Sequence, residues 1–343
     1  MDILFKKIYM KKYNLTKITK FINRALRVII MNLEGKRILV TGGDGFLGKS
    51  LLPLLKEKGA NILSFGSKEY DIRKEQDVEK LFNATEPEIV IHLATDNGGF
   101  AYTKENPGSI LYNNIMMNTL VQEYSRKNNA EKFVGIGSAA SYPKFIKSPL
   151  KEEYLWKDYP EEVHAPIGLS KKLMLVQSQE YRDQYNFNAI HLIPVNLYGP
   201  NYSLDSKSIR VIPLLIKKII DGKEKNMKSI EISGTKNAFR EFLYVDDCSD
   251  AIIKATESYN KSLPVNLGCG EDIRIKDLAD KIKEIAGFDG EIIWNENYSD
   301  ELPRRVLDVS RAEKEFNFKA KTSLDEGLRK TINWYLKNYK NSK

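Results

Sequence analysis

Cysteine is nearly missing from these 343 residues: there are two, Cys248 and Cys269, far apart and without metal-ligand spacing. Neither a disulfide framework nor a zinc site is indicated, no other metal is expected, and a reducing cytoplasm is the expected compartment. A run of about 18 apolar residues is lacking, so nothing reads as a membrane-spanning helix, and no small-residue cleavage site suggests a secretory signal. Internal repeats and low-complexity tracts are absent too. What is there is an ordinary globular composition, 42% hydrophobic and 29% charged, enough to bury one large core or two smaller ones.

One-sided charge is also scarce outside a single segment. The formal net charge is +8, but residues 1 to 30 hold eight Lys/Arg and one acid, so the remainder is nearly neutral. A nucleic-acid enzyme carries its basic surface in the folded body, so no nucleic-acid partner is expected. Within the basic segment Leu15, Ile18, Ile22, Ala25 and Ile29 fall at helical spacing, with Lys17, Lys20, Arg24 and Arg27 as a second stripe. Such a basic amphipathic helix can lie on a membrane surface or bind a partner. The preferred reading of residues 1–31 is a solvated extension, because MNLEGKRILV from Met31 is a complete beginning for the downstream domain.

From Lys36 apolar runs alternate with helical stretches: KRILV, a glycine turn, KSLLPLLKEKG, ANILSF, then EIVIHLA, KFVGIGS and NAIHLIPVNLYG. Strands separated by helices imply an α/β fold with a Rossmann-type doubly wound parallel sheet. After Pro200 the rhythm changes to an amphipathic helix (VIPLLIKKIIDG), a short strand (IEIS) and another helix (KDLADKIKEIAG). Residues 32–200 are expected to form mainly a dinucleotide-binding domain, and 201–343 mainly a smaller α/β substrate-binding lobe, with the chain crossing between the two.

In ILVTGGDGFLGKSLL, Gly42, Gly45 and Gly48 stand between a strand and a helix. Gly42 permits the tight turn, Gly45 lets the backbone approach a pyrophosphate, and Gly48 allows close helix-on-strand packing, with phosphates over the helix N-terminus. After the second strand, where an acid would bind the ribose of NAD, the chain has Phe65, Gly66, Ser67 and Lys68. NADP(H) is therefore favoured, with NAD(H) the alternative.

This glycine spacing, together with IHLAT, IGSAASYP, a lysine in GLSKK and PVNLYGP, resembles the extended short-chain dehydrogenase/reductase family from about Lys36 to Tyr339. The segments YPKFIKSPLKEEYLW, FREFLYVDD and LPRRVLDVSRA resemble its GDP-fucose synthase branch, which acts on GDP-4-keto-6-deoxy sugars. The resemblance implies a serine that orients the sugar oxygen, matched by Ser138. It also implies a lysine that holds the nicotinamide ribose and lowers the pKa of a catalytic tyrosine, matched by Lys171. The tyrosine position is Ile167, which has no ionisable proton and cannot act as general acid or base.

The branch's epimerising cysteine and histidine fall at Ala140 and Arg210, one without a titratable group and the other always protonated, so no 3,5-epimerisation is expected. The resemblance further assigns Phe46, Leu47, Asp71, Leu93, Ala94, Asn114, Pro194, Asn196 and Leu197 to the cofactor. It assigns Ser138, Tyr142, Asn196, Arg210, Arg240 and Arg305 to the nucleotide sugar, the last two as grips on the diphosphate. Candidates for the missing acid are Tyr142, expected to pack near the sugar, His164, read as an exposed loop histidine able to titrate near neutrality, and Ser138 helped by water and Lys171.

The expected function is NADP-dependent oxidoreduction at C4 of a GDP-linked sugar without epimerase activity, in a homodimer by resemblance. The alternatives are a nucleotide-sugar-binding pseudoenzyme, or an epimerase or dehydratase of another nucleotide sugar. The dehydratase reading is weakened because Ala139 follows Ser138 where dehydratases carry a Thr-Asp/Glu pair.

Overall fold

The computed structural model describes residues 30–202, 210–295 and 304–339. The expected basic amphipathic helix lies outside the described residues.

Six parallel strands form the main sheet, β1 (Arg37–Thr41), β2 (Asn61–Leu63), β3 (Ile89–His92), β4 (Lys132–Ile136), β5 (Ala189–Pro194) and β9 (Val265–Leu267), in the order β2-β1-β3-β4-β5-β9. Four of them, β3, β4, β5 and β9, are buried throughout because both faces are covered. Alternate residues enter opposite cores: Ile38, Val40, Ile91 and Val134 join one cluster, whereas Leu39, Val90 and Phe133 join the other. The helices that cover these faces include α1 (Phe46–Glu57), α2 (Glu75–Thr85), α4 (Pro107–Lys127) and α5 (Ala165–Tyr185), with the short α3 (Phe100–Glu105) ahead of α4.

Strand order reverses between β1 and β3, the point where open α/β sheets bind ligands beyond the strands' carboxyl ends. A third core is built on α6 (Val211–Glu224), β7 (Ser229–Ser233), α8 (Ile275–Ala286) and α10 (Leu324–Tyr339). Two small sheets belong to this part: β10-β8-β6, from β6 (Asn196–Tyr198), β8 (Phe239–Tyr244) and β10 (Asp272–Arg274), and β7 paired with β11 (Glu291–Asn295).

NAIHLIPVNLYG reads as one run, but it divides at Val195: β5 stays in the main sheet while β6 pairs with β8. Later α7 (Val245–Ser258) and β9 return to the main sheet's core, and α9 (Ser310–Phe316) packs there too. The segments that leave and re-enter place residues 194–200, 240–241 and 305–308 beside the carboxyl ends of the main strands.

Candidate active site

The glycine turn comes after β1 and opens α1. Gly42 has φ +72°, a left-handed conformation that a side chain strains, and a Cβ there would lie 2.8 Å from Ala94 N in the loop after β3. Its carbonyl accepts the Gly45 N–H at 3.0 Å. Helix α1 begins at an extended Gly45 with no side-chain cap and no acid in its first turn. Its first amide groups are thus left for an external acceptor, and a pyrophosphate satisfies them. The residues present fit a dinucleotide.

The other expected cofactor positions lie in varied surroundings. Phe46 packs its ring 4.5 Å from that of Tyr202. Leu47 and Leu93 lie half-buried against the core. Ser67 and Lys68 are exposed just beyond β2. Asp71 is already engaged: Arg73 binds it with Nε at 2.7 Å and Nη2 at 2.9 Å, and that pair lowers its pKa to about 2. Asn114 on α4 is fully buried; its Oδ1 accepts from Thr95 and from the Asp96 amide, while its Nδ2 donates to the Asp96 carbonyl. Pro194 is buried at the end of β5, Leu197 is half-buried, and Asn196 uses its Nδ2 to donate to the Glu241 carbonyl at 3.0 Å.

Ser138 ends the loop after β4 and caps a short 3-10 turn, its Oγ accepting the Ala140 N–H at 3.2 Å. That turn presses on the start of α5: a Cβ at Gly168 would lie 2.5 Å from Ala140 O, and Ser141 Oγ donates to Gly168 O. The turn that Ser138 caps therefore packs on the start of α5, the helix that carries Ile167 and Lys171. Ile167 is a core side chain, only 3% exposed.

Lys171 is also 3% exposed and reaches Asn118 Oδ1 at 3.4 Å. The same Oδ1 accepts from His92 Nε2 at 3.0 Å, and His92 Nδ1 pairs with Thr41 Oγ1 at 2.7 Å. Asn118 Nδ2 donates to Ser170 O, which fixes the amide's orientation. Burial pulls the lysine's pKa to about 8. His92 and His191 are held neutral, at about 3, first by burial and then by the Lys171 charge.

Two expectations are corrected. Tyr142 does not present its phenol to a substrate: it is fully buried and donates to Asn266 Oδ1 at 2.7 Å, and burial pushes its pKa far above the usual phenol value. The YP dipeptide turns the ring inward, where Asn266 also donates to Leu150 O and Asp308 O, so this tyrosine ties β9 to the neighbouring loops. Tyr142→Phe should cost about 1–3 kcal/mol of stability by leaving Asn266 Oδ1 unpaired, with kcat unchanged. Chemical denaturation and steady-state rates on one preparation check both.

His164 is not an exposed loop residue. It is half-buried at the N-terminal boundary of α5, within electrostatic reach of Arg210, Arg240 and Arg305. Burial is the main force that lowers its pKa; Glu161 opposes it and the three arginine charges add to it. The structure thus gathers the expected diphosphate arginines around His164. Arg240 and Arg305 are bridge partners, and Arg305 Nη2 donates to Pro143 O at 3.2 Å. Buried Glu241 steadies the segment by accepting the Leu307, Cys269 and Gly270 amides, each at 2.7 Å.

Sequence reasoning missed Asn118, His92, Asp96 and Tyr102. Asn118 lies one helical turn after Asn114, a spacing that could have revealed it. Tyr102 donates to Asp96 Oδ1 at 2.8 Å and Asn113 to Asp96 Oδ2, but nothing in the local pattern announces that pairing. Among the described residues there is no cluster able to hold a metal and no helix long and apolar enough to cross a membrane.

Comparison with known proteins agrees with this geometry. The model of the NAD dependent epimerase/dehydratase family matches residues 38–268. A probable GDP-L-fucose synthase 1 from Oryza sativa subsp. japonica is 33% identical, over 89% of this chain and 93% of the relative. Among solved structures, a GDP-6-OMe-4-keto-L-xylo-heptose reductase from C. jejuni aligns with TM-score 0.83 at 29% identity, over 90% of this chain and 99% of that one. A GDP-mannoheptose C4 reductase from Campylobacter jejuni with NADP bound aligns at 0.80 and 31%, over 89% and 99%. The family match spans the glycine turn, the switch-point loops and Lys171, and the chain belongs to the NAD dependent epimerase/dehydratase family, with a probable GDP-L-fucose synthase among its relatives.

Proposed function

We propose that the protein is an NADP(H)-dependent reductase acting at the C4 ketone of a GDP-linked sugar, without 3,5-epimerisation. One observation carries the reading: a single helix start joins two sites. Lys171 lies against the β1 and β3 ends through Asn118 and His92, while His164, seven residues earlier, lies among Arg210, Arg240 and Arg305. The named activities of the GDP-sugar synthase and reductases to which the chain is similar support the same reading.

The cofactor, when bound, supplies the hydride. The open amides of α1 hold its pyrophosphate, and Ser67 and Lys68 suit the 2′-phosphate of NADP(H). Arg240 and Arg305 offer planar donor forks to the diphosphate of the nucleotide sugar. Ser138 Oγ orients the sugar oxygen. Ala140 and Arg210 leave C3 and C5 alone, since one has no proton to exchange and the other does not release one.

Incubating the purified protein with GDP-4-keto-6-deoxymannose and related GDP-4-keto sugars tests this. NADPH should be consumed faster than NADH, and in D₂O no deuterium should enter C3 or C5. Absence of both NADP(H) binding and turnover across the panel overturns the reading; deuterium at C3 or C5 overturns its restriction to reduction. Ile167 favours a second reading, a binding protein without turnover, which NADPH consumption dependent on Lys171 excludes. Homodimerisation is supported by apolar side chains exposed on α4 and α5, among them Tyr112, Leu173 and Tyr185. A reducing cytoplasm suits the two free cysteines.

A further inference from the structure

Reduction of a ketone needs a proton for the oxygen as well as a hydride for the carbon, and the helix that provides the acid in relatives of this kind offers an alkyl group at Ile167. The neighbouring groups narrow the choice. Tyr142 is committed to Asn266 in the core. Ser138 is an ordinary alcohol, which can pass a proton on but is a poor source of one. His164 has its pKa lowered by burial and by its arginine neighbours, against the opposing pull of Glu161. Tyr102 is committed to Asp96, and that bond raises its pKa.

Lys171 differs from all of these. It stands one helical turn after Ile167, on the same face of α5. Its ammonium is buried with no carboxylate within ion-pair distance among the described residues, and its one hydrogen bond is a long 3.4 Å contact to an amide oxygen already shared with His92. Two neutral imidazoles, His92 and His191, complete surroundings that offer no counter-charge. Such an ammonium gives up a proton more readily than a solvated one.

We propose that Lys171 is itself the catalytic acid of the reduction, in addition to holding the nicotinamide ribose. As hydride forms the new C4–H bond, an Nζ–H bond of the ammonium breaks and an O–H bond forms on the ketone oxygen, directly or across one water. The sugar is reduced, the nicotinamide is oxidised, and Lys171 is left as a neutral amine that regains its proton from solvent when product leaves. Asn118 and His92 are positioning residues that aim the lysine without neutralising it. This inference rests on the reductase reading above.

The test measures NADPH binding by fluorescence titration and kcat for GDP-4-keto-6-deoxymannose from about pH 6 to about pH 10. The lysine must be protonated to act, so kcat should be full at low pH and fall as pH rises through about 8. Lys171→Arg keeps a cation but has no proton to release, so kcat should fall roughly 10²- to 10⁴-fold with NADPH still bound. Adding Ile167→Tyr to that variant restores a phenol beside a fixed cation and should recover about tenfold or more.

A wild-type kcat that does not fall between about pH 7 and about pH 9.5, or a Lys171→Arg kcat within about threefold of wild type, overturns the inference. So does failure of the double variant to recover while it still binds NADPH. A wild type that binds no NADPH and reduces none of the sugars overturns the reductase reading instead, which separates the two claims.

Discussion

Gly48→Ala is expected to abolish detectable NADP(H) binding. A Cβ at this position would lie 2.3 Å from Gly43 O, 2.5 Å from Gly43 Cα and 2.6 Å from Gly42 O. All three neighbours are backbone, so no side chain can swing aside; the turn itself must move away from the start of α1. The amides that face a pyrophosphate then lose their common aim, and affinity should fall by about 100-fold or more, since misplacement by about 1 Å costs that much in a positioned site. Strain of this kind also costs about 1–3 kcal/mol of stability. Gly108→Ala is the control: it lies in the first turn of α4 with nothing within 4 Å of its Cβ, so both binding and melting temperature should hold. Fluorescence titration with NADPH alongside thermal unfolding reads both outcomes. Retained affinity in Gly48→Ala would mean that the turn is structural only.

Arg305→Ala should raise KM for the GDP-sugar by about 30-fold or more while leaving NADPH affinity in place. Truncating one partner of a buried, hydrogen-bonded charge pair costs about 2–5 kcal/mol, and Arg305 is well placed to be such a partner. It is half-buried, burial lowers its pKa although it remains a cation, and it is braced beside Arg240 by the bridge between their strands. The bracing comes from Glu241, whose Oε2 takes the Leu307 amide two residues on. Arg305→Lys should recover only part of the loss, because an ammonium keeps the charge but not the planar fork. Equal KM values for wild type, alanine and lysine variants would remove Arg305 from the substrate site. A KM change matched by a loss of NADPH affinity would show a general disturbance of the cleft.

Much of the cofactor half was legible in the primary structure because its signals are local. A glycine needed for φ +72°, apolar strands covered on both faces and a helix start without an acid are properties of a few adjacent residues. Ile167 in the tyrosine position was legible for the same reason, since HAPIGLSKK places it four residues before Lys171.

The environments of the titratable side chains were not legible, because they depend on which distant segments pack around them. Tyr142 sits in a YP motif, but Asn266, 124 residues later, captures its hydroxyl. His164 read as a loop residue until Arg210, Arg240 and Arg305 gathered around it from three separate stretches of chain. Lys171 is a lysine in any reading of the sequence; its lowered pKa arises only when the fold removes it from water and surrounds it with Asn118, His92 and His191. Residue order therefore decided the turn, the strands and the absent phenol, through steric demands that act over a few bonds. The tertiary structure decided which remaining group is poised to release a proton, because desolvation belongs to a packed neighbourhood and not to any one residue.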